Sequence, residues 1–387
     1  MGTEYHRLGD YIRPVDVRNR DLKVTELVGL TIDKAFIPSV ANVIGTDLSN
    51  YKVIRREQFA CSLMQVSRDG KMPVAMFEGD EAIMSPAYPM FEVIDKTALL
   101  PQYLMMWFSR KEFDREASFY AVGGVRGSLA WEDFCDMKLP MPDIERQREI
   151  VAEYETLTNR IRLNEQIIQR LEATAQALYR KMFVDNIDKQ NLPAGWRIGT
   201  LGELLEKFIR GPFGSALKKE DMQTNGIPVY EQQHVIDGHR EFRYYVSEAK
   251  YKSLKRFTVK KNDLVISCSG TIGRIIQIGD NDPIGVINQA LLILRVAEQK
   301  YSPTLLRYFL LSEEGHKMLL EDAHGSAQVN IAKRETIEGI PILISTKGII
   351  NEIDKQLQQI DHTISLYKQE NTKLTELQSL LLAKMGN

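Results

Sequence analysis

Apolar residues recur at alternating steps of three and four in two stretches of the chain. The first runs through Ile150, Tyr154, Leu157, Ile161, Ile168, Leu171, Leu178 and Met182, the second through Ile353, Leu357, Ile360, Ile364, Leu374, Leu381 and Met385. This spacing puts every one of these side chains on a single stripe of a helix, the seam of a coiled coil, and such a stripe needs a partner. The two runs align at one offset of 203, Ile150 with Ile353 and Met182 with Met385. The pattern therefore predicts two long helices that arose by duplication. The second run carries Asn371 where the first has Ile168; an amide at that position either fixes register or faces solvent.

The segments ahead of each run also correspond. Lys138-Leu139-Pro140-Met141-Pro142 and Gly339-Ile340-Pro341-Ile342-Leu343 are short apolar exits containing proline. Earlier, Pro101 and Pro303 each open an apolar stretch, through Ser109 and Ser312, and proline at that position suits a helix N-terminus. Glycine loops follow at residues 123–128 and 325–330, and each unit begins near a Leu-Gly pair, Leu8-Gly9 and Leu201-Gly202. A repeat of about two hundred residues is too long for a solenoid and means duplicated domains.

Composition narrows the class. A chain of 387 residues exceeds a single core, and its 43% hydrophobic and 26% charged content is ordinary for a soluble protein. No apolar run reaches the roughly 18 residues of a membrane span, and no apolar leader follows Met1, so a cytoplasmic location is expected. Cys61, Cys135 and Cys268 are isolated, which argues against disulfides and zinc. The net charge of −2 gives no general attraction for polyanions, but Lys250, Lys252, Lys255, Arg256, Lys260 and Lys261 fall in a stretch without acids, interleaved with Tyr251 and Phe257. Such a patch either neutralises phosphates or is simply solvated. Lys52, Arg55, Arg56, Arg68 and Lys71 form a looser counterpart.

Catalytic signatures are missing. No Asn/Asp-Pro-Pro-Tyr/Phe motif of an amino-methyltransferase occurs, and no glycine loop carries the lysine of a phosphate-binding loop. His234 and His239 flank Asp237 without a third metal ligand and read as surface-loop histidines; Ser267-Cys268-Ser269-Gly270 lacks the nucleophile elbow. Binding chemistry is better represented. Gln232, Gln233, Asn288, Gln289, Gln328 and Asn330, with Arg210, Arg240, Arg243 and Arg334, are the residue types that pair with base edges in the major groove. Many of them will instead satisfy turns.

These residues carry a resemblance. Arg210 to Leu217, Gly226-Ile227-Pro228-Val229, Asp263 to Ser267 followed by Ser269-Gly270-Thr271-Ile272-Gly273-Arg274, Asn288-Gln289 and Gly325 to Ile331 are similar, in that order, to target-recognition domains in the specificity subunit of Type I restriction-modification systems. In the first unit Phe36-Ile37-Pro38-Ser39, residues 45–51, 61–68 and Trp131 resemble another branch of the same domain type. The second exit lacks the acid-x-Gln step seen at Glu145-Arg146-Gln147, and the first unit lacks the Ser-Gly-Thr-Ile-Gly-Arg loop.

The resemblance implies an α+β chain: recognition domains at 1–143 and 186–346, each followed by a long helix, 144–185 and 347–387, the helices packing as an antiparallel coiled coil. It implies a non-catalytic subunit whose two domains read the halves of a bipartite double-stranded DNA target. The helices, about 60 Å long for forty residues, would hold the domains about one DNA turn, some 34 Å, apart, and dock two modification subunits. Those partners would bind S-adenosylmethionine and flip the adenine; restriction subunits join where the system also cleaves. The DNA-contacting residues expected are Arg55, Arg56, Arg68, Arg126, Arg210, Lys218, Lys219, Gln232, Gln233, Arg243, Ser269, Thr271, Arg274, Gln328 and Asn330. The competing readings are a coiled-coil scaffold that binds other proteins and, more remotely, a metal-dependent nuclease.

Overall fold

The computed structural model describes residues 4–39, 45–64, 66–122, 127–185, 187–238, 240–320, 331–345 and 347–385. It separates into two compact units, Met1–Glu165 with Lys368–Asn387, and Gln166–Tyr367.

The first unit opens with β1 (Tyr5–Arg7), β2 (Ile12–Pro14), β3 (Val28–Leu30), β4 (Phe36–Pro38), β5 (Lys52–Arg55) and β6 (Phe59–Cys61). Helix α1 (Val66–Asp69), β7 (Val74–Met76), β8 (Glu81–Met84) and β9 (Met90–Val93) follow, then α2 (Pro101–Phe108), α3 (Lys111–Tyr120), α4 (Trp131–Asp136), β10 (Lys138–Pro140) and the start of α5 (Ile144–Arg180). The second unit holds β11 (Trp196–Thr200), α6 (Leu201–Leu204), β12 (Leu205–Arg210), β13 (Ile227–Tyr230), α7 (Gln232–Ile236), β14 (Tyr245–Val246), α8 (Glu248–Leu254), β15 (Leu264–Ser267) and β16 (Ile275–Gln277). It continues with β17 (Val286–Ile287), β18 (Leu291–Val296), α9 (Pro303–Leu311), α10 (Glu313–Leu319), α11 (Arg334–Glu338), β19 (Pro341–Ser345) and the first part of α12 (Lys347–Lys384).

The duplication is plain in the strand order. One four-stranded sheet runs β2-β9-β6-β7, the other β12-β18-β15-β16. In both units a separate two-stranded sheet pairs an N-terminal strand antiparallel with the exit strand ahead of the long helix: β1 with β10, β11 with β19. The apolar exits seen in the sequence are thus strands, fixed by partners more than a hundred residues away. The central strands β6 and β15 are buried on both faces, so they read as continuous apolar runs. Proline opens α2 and α9 as expected, and Ser302 caps α9 by accepting from the Leu305 N–H at 3.2 Å.

Each unit takes a piece of both long helices. In the first, Ile150, Val151 and Tyr154 pack with Leu382 and Met385 on the core around Leu8, Phe91 and Leu139. Arg160 pairs with Glu370 at 2.9 Å, and Gln378 Nε2 donates to Thr158 Oγ1 at 2.7 Å, so residue numbers rise along one helix as they fall along the other. The pair is antiparallel. In the second unit Ala175, Leu178, Tyr179 and Met182 share a core with Ile353, Leu357 and Ile360. Of the seam positions, Ile168, Ile353, Leu357 and Ile364 are buried, and Ile150, Tyr154, Leu157, Ile161, Leu171, Leu178, Ile360, Leu374 and Leu381 are half-buried.

A polar layer interrupts the seam. Asn164 is fully buried, and its Nδ2 donates to Asn371 Oδ1 at 2.8 Å and to Glu370 Oε2 at 3.0 Å. Asn371 therefore does not face solvent; it completes a cross-helix contact of the kind that specifies register.

Candidate nucleic-acid interface

In the second unit four loops converge at one end of the sheet. Strand β12 ends at Arg210, and Gly211 then donates its N–H to Leu291 O at 2.9 Å while running so close to Asn288 that an added Cβ would overlap the Asn288 carbonyl. Asn288 N–H donates to Tyr230 O at 3.0 Å, one residue before Glu231 and helix α7. The β15–β16 loop joins through Cys268 N–H, which donates to Ala290 O at 2.8 Å. Backbone bonds thus fix Arg210, Gln232, Asn288 and the Ser269–Arg274 segment against one another.

The β15–β16 loop is held from within. Ser267 Oγ donates to Thr271 O at 2.7 Å and accepts from the Arg274 N–H at 3.0 Å. Gly273 sits at φ +74°, and an added Cβ there would lie 2.8 Å from His316 Nε2 in α10 and 3.3 Å from Leu320 just after it. These bonds close the loop and leave Thr271 and the Arg274 side chain exposed. Among the described residues Arg274 has no ion-pair partner. Gln232 lies beside Gly270, and its Nε2 is shielded from water with no hydrogen-bond partner among the described residues, an unmet donor next to the loop. Burial pushes the Cys268 thiol up to about 12, so Ser267-Cys268-Ser269 offers no nucleophile at neutral pH.

Other expected contacts lie elsewhere or are already engaged. Lys218 and Lys219 are exposed on a separate turn. Arg243 makes a bidentate pair with Glu231 at 2.9 and 3.0 Å, and Gln233 is half-buried on α7. Asn288 Oδ1 accepts from Ala290 N–H and so satisfies a turn. Arg126, Gln328 and Asn330 lie outside the described residues, as does His239. His234 is a correction: it is buried rather than on a surface loop, its Nδ1 accepting from Glu231 N–H at 2.8 Å and its Nε2 3.0 Å from Glu241 O. It orders the start of α7. Among the described residues no group of three His, Cys, Asp or Glu side chains is placed to hold a metal.

Strand order locates the counterpart in the first unit. Since β6 and β7 correspond to β15 and β16, the Ser62–Pro73 connection, with α1 and Arg68, occupies the place of the Ser-Gly-Thr-Ile-Gly-Arg loop. Leu63 O accepts from Leu129 N–H at 2.9 Å, and Gly127 abuts Ser67, so the segment after α3 packs on this connection as α10 packs on Gly273. The cations of this connection are paired, Arg68 with Asp69 at 2.7 Å and Lys71 with Asp33 at 3.1 Å; Arg55 and Arg56 lie ahead of β6, at its other end, and pair with Glu81 at 3.7 Å and Asp80 at 2.7 Å. Lys52 is no part of a surface patch, being buried with its Nζ donating to Tyr88 O at 3.0 Å.

The profile of the Type I restriction modification DNA specificity domain matches residues 67–173 and 193–376, about three quarters of the chain. The chain belongs to this family. The profile thus covers most of both units. Among curated relatives, the Type I restriction enzyme HindI specificity subunit of Haemophilus influenzae is 23% identical over 77% of this chain and 79% of its own length. A putative type I restriction enzyme MjaX specificity subunit of Methanocaldococcus jannaschii is 21% identical over 91% and 82%. The crystal structure of a Type-I restriction-modification system S subunit from M. genitalium superposes with a TM-score of 0.61 over 100% of this chain and 96% of that one, at 13% identity, and so shares the fold of this specificity-family chain. No helix among the described residues is long and apolar enough to cross a membrane.

Proposed function

We propose that the chain is the non-catalytic, DNA-reading subunit of a cytoplasmic Type I restriction-modification complex, with each globular unit reading one half of a bipartite duplex target. The observation that carries this reading is one sheet order used twice with two different connections at the same place, Ser62–Pro73 and Cys268–Arg274. A duplicated frame with unlike loops suits two different half-sites. Around it, phosphate contacts would position each unit, and side chains such as Arg274 and Gln232 would discriminate bases.

In this reading residues 1–143 and 186–346 are the readers, and 144–185 with 347–387 are spacers. The 37 residues of α5 span about 55 Å at the usual helical rise, enough to bridge half-sites about 34 Å apart. The outward faces of the helices dock two modification subunits. Support comes from Leu163 and Leu366, which share the offset of 203 and are 46% and 52% exposed, an apolar position repeated once per helix away from the seam. S-adenosylmethionine belongs to those partners, and restriction subunits complete the complex where cleavage accompanies methylation.

Sequencing the methylome of cells with and without the chain tests the reading: a bipartite adenine-methylation motif is expected to disappear with it. A coiled-coil scaffold would leave the methylome unchanged, and the purified chain would show no sequence preference for any duplex at any salt concentration.

A further inference from the structure

Beside the converging loops of the second unit lies a groove with no acidic wall. It has a volume of about 410 Å3 and is lined by Lys207, Phe208, Ile209 and Arg210 of β12, by Lys255, Arg256, Phe257, Thr258 and Lys260, and by Arg295 of β18. Among the described residues Lys207, Arg210, Lys255, Arg256 and Lys260 pair with no carboxylate, whereas the neighbouring Lys250 and Lys261, which do not line it, pair with Asp221 and Asp280. The acid-free stretch of the sequence is therefore sorted by the fold: among the described residues its cations inside the groove pair with no carboxylate, and two of those outside it are neutralised.

Register sharpens the contrast. Lys207 stands directly opposite Arg295 across β12 and β18, a like-charge arrangement that costs stability. Asp263 neutralises Arg295, at 2.7 Å, and among the described residues no carboxylate pairs with Lys207. In the first unit the residue at the offset of 203 from Arg295 is Glu92, which stands opposite Arg13 and pairs with it at 2.6 Å. One sheet is internally balanced here, and the other carries one cation more than its anion, Asp263, can neutralise.

We propose that this groove is a phosphodiester site that takes the backbone of double-stranded DNA beside the base-reading loops, and that it makes the second unit carry most of the salt-dependent affinity of the chain. The proposal rests on the DNA-reading function above. Phosphate neutralisation releases counterions, so each contact adds about 0.9 to the slope of log affinity against log salt. Arg210 lines the groove and also begins the loop locked to Asn288, which joins backbone positioning to base reading.

The test is a salt titration of full-length protein binding to a duplex of unrelated sequence. Lys207→Gln, Lys255→Gln and Lys260→Gln together should lower the slope by about 2.7, with a thermal transition no lower than that of the wild-type chain, because all three side chains are exposed and the change at Lys207 relieves the like charge facing Arg295. Arg13→Gln in the first unit should leave the slope where it was. An unchanged slope in the triple variant overturns the groove, and an equal fall for Arg13→Gln overturns the asymmetry. Sodium tripolyphosphate binding that weakens in the triple variant while the duplex slope stays constant would mark a free-polyanion site and overturn the DNA assignment. No duplex binding by the wild-type chain would sink the DNA-reading function and the groove together; normal binding with an unchanged slope sinks the groove alone.

Discussion

The two sheets share a strand order and are filled differently. In the first unit Phe91 packs among Phe59, Phe108, Trp131 and Phe134, with ring centroids 5.1 to 6.0 Å away. At the offset of 203 its counterpart is Leu294, in a core dominated by Leu264, Ile266, Leu292, Leu305 and Leu310. Met105, four residues after Pro101, packs against the apolar core, while Arg307, four after Pro303, pairs with Asp361 at 2.5 Å. The difference shows which constraints are shared. The helices must match each other along a seam, so their heptads stay alike. The interior of each sheet has only to be filled to density, and either rings or branched chains can do it.

The largest effect should separate the cores. Phe91→Ala removes a ring from a fully buried cluster and is expected to cost about 4 kcal/mol, against about 3 for Leu294→Ala. Denaturant unfolding followed by tryptophan fluorescence can tell them apart, since Trp107 and Trp131 report the first core and Trp196 packs on the second. A smaller loss for Phe91→Ala would break the contrast between aromatic and aliphatic filling.

Next comes the ion pair. Asp361→Thr, the residue found at the equivalent position 158, leaves Arg307 without its carboxylate, at about 3 kcal/mol, the low end of the range because Asp361 keeps 28% of its side-chain exposure. Adding Arg307→Met should restore most of that stability by making the second unit resemble the first. A double variant as unstable as the single one would show that the pair is not the cause.

Smaller again are the base-reading effects. Arg274→Ala and Arg68→Ala should each relax one half-site, and not the same one, by about 1–3 kcal/mol of discrimination, read from the methylation motif or from duplexes altered in one half. Both relaxing the same half-site would dissolve the correspondence of the two connections.

The smallest effect is in pH. A side-chain hydrogen bond from Arg160, joined by one from Asn164, holds the Glu370 carboxyl below its ordinary value. A depressed acid contributes stability above its unfolded pKa, about 4.3, and loses it as pH falls through the folded value. Glu370→Gln should flatten the acid limb of the first unit's unfolding curve slightly, and an unchanged limb would remove Glu370 from the account.

Much of the frame was legible because the seam is a long periodic signal: every apolar seam position is buried or half-buried. The sheets were not, because their strands are two to six residues long and the central ones show no alternation. Asn164 escaped notice because a polar residue at a heptad position looks like a gap until its partner across the pair is known. The β15–β16 loop of the second unit was visible as small residues ending in arginine, but its first-unit counterpart shares no motif with it and emerges only from strand order. The basic stretch had equal claims as patch or solvated face until the fold divided it, placing Lys255, Arg256 and Lys260 in a groove and Lys261 beside Asp280.

The membership of Met385 in the first unit has a consequence for biosynthesis. Met385 is 5% exposed in the core that contains Leu8 and Phe91, and the segment that brings it begins about 200 residues after Glu165. At ribosomal speeds of 5–20 residues per second that interval lasts roughly 10–40 s. Throughout it the first unit waits with Ile150 and Tyr154 uncovered, while the second, whose residues are consecutive, can close as soon as Tyr367 has emerged. Folding order in the cell is therefore expected to invert chain order, and the nascent first unit is the species that chaperones would meet.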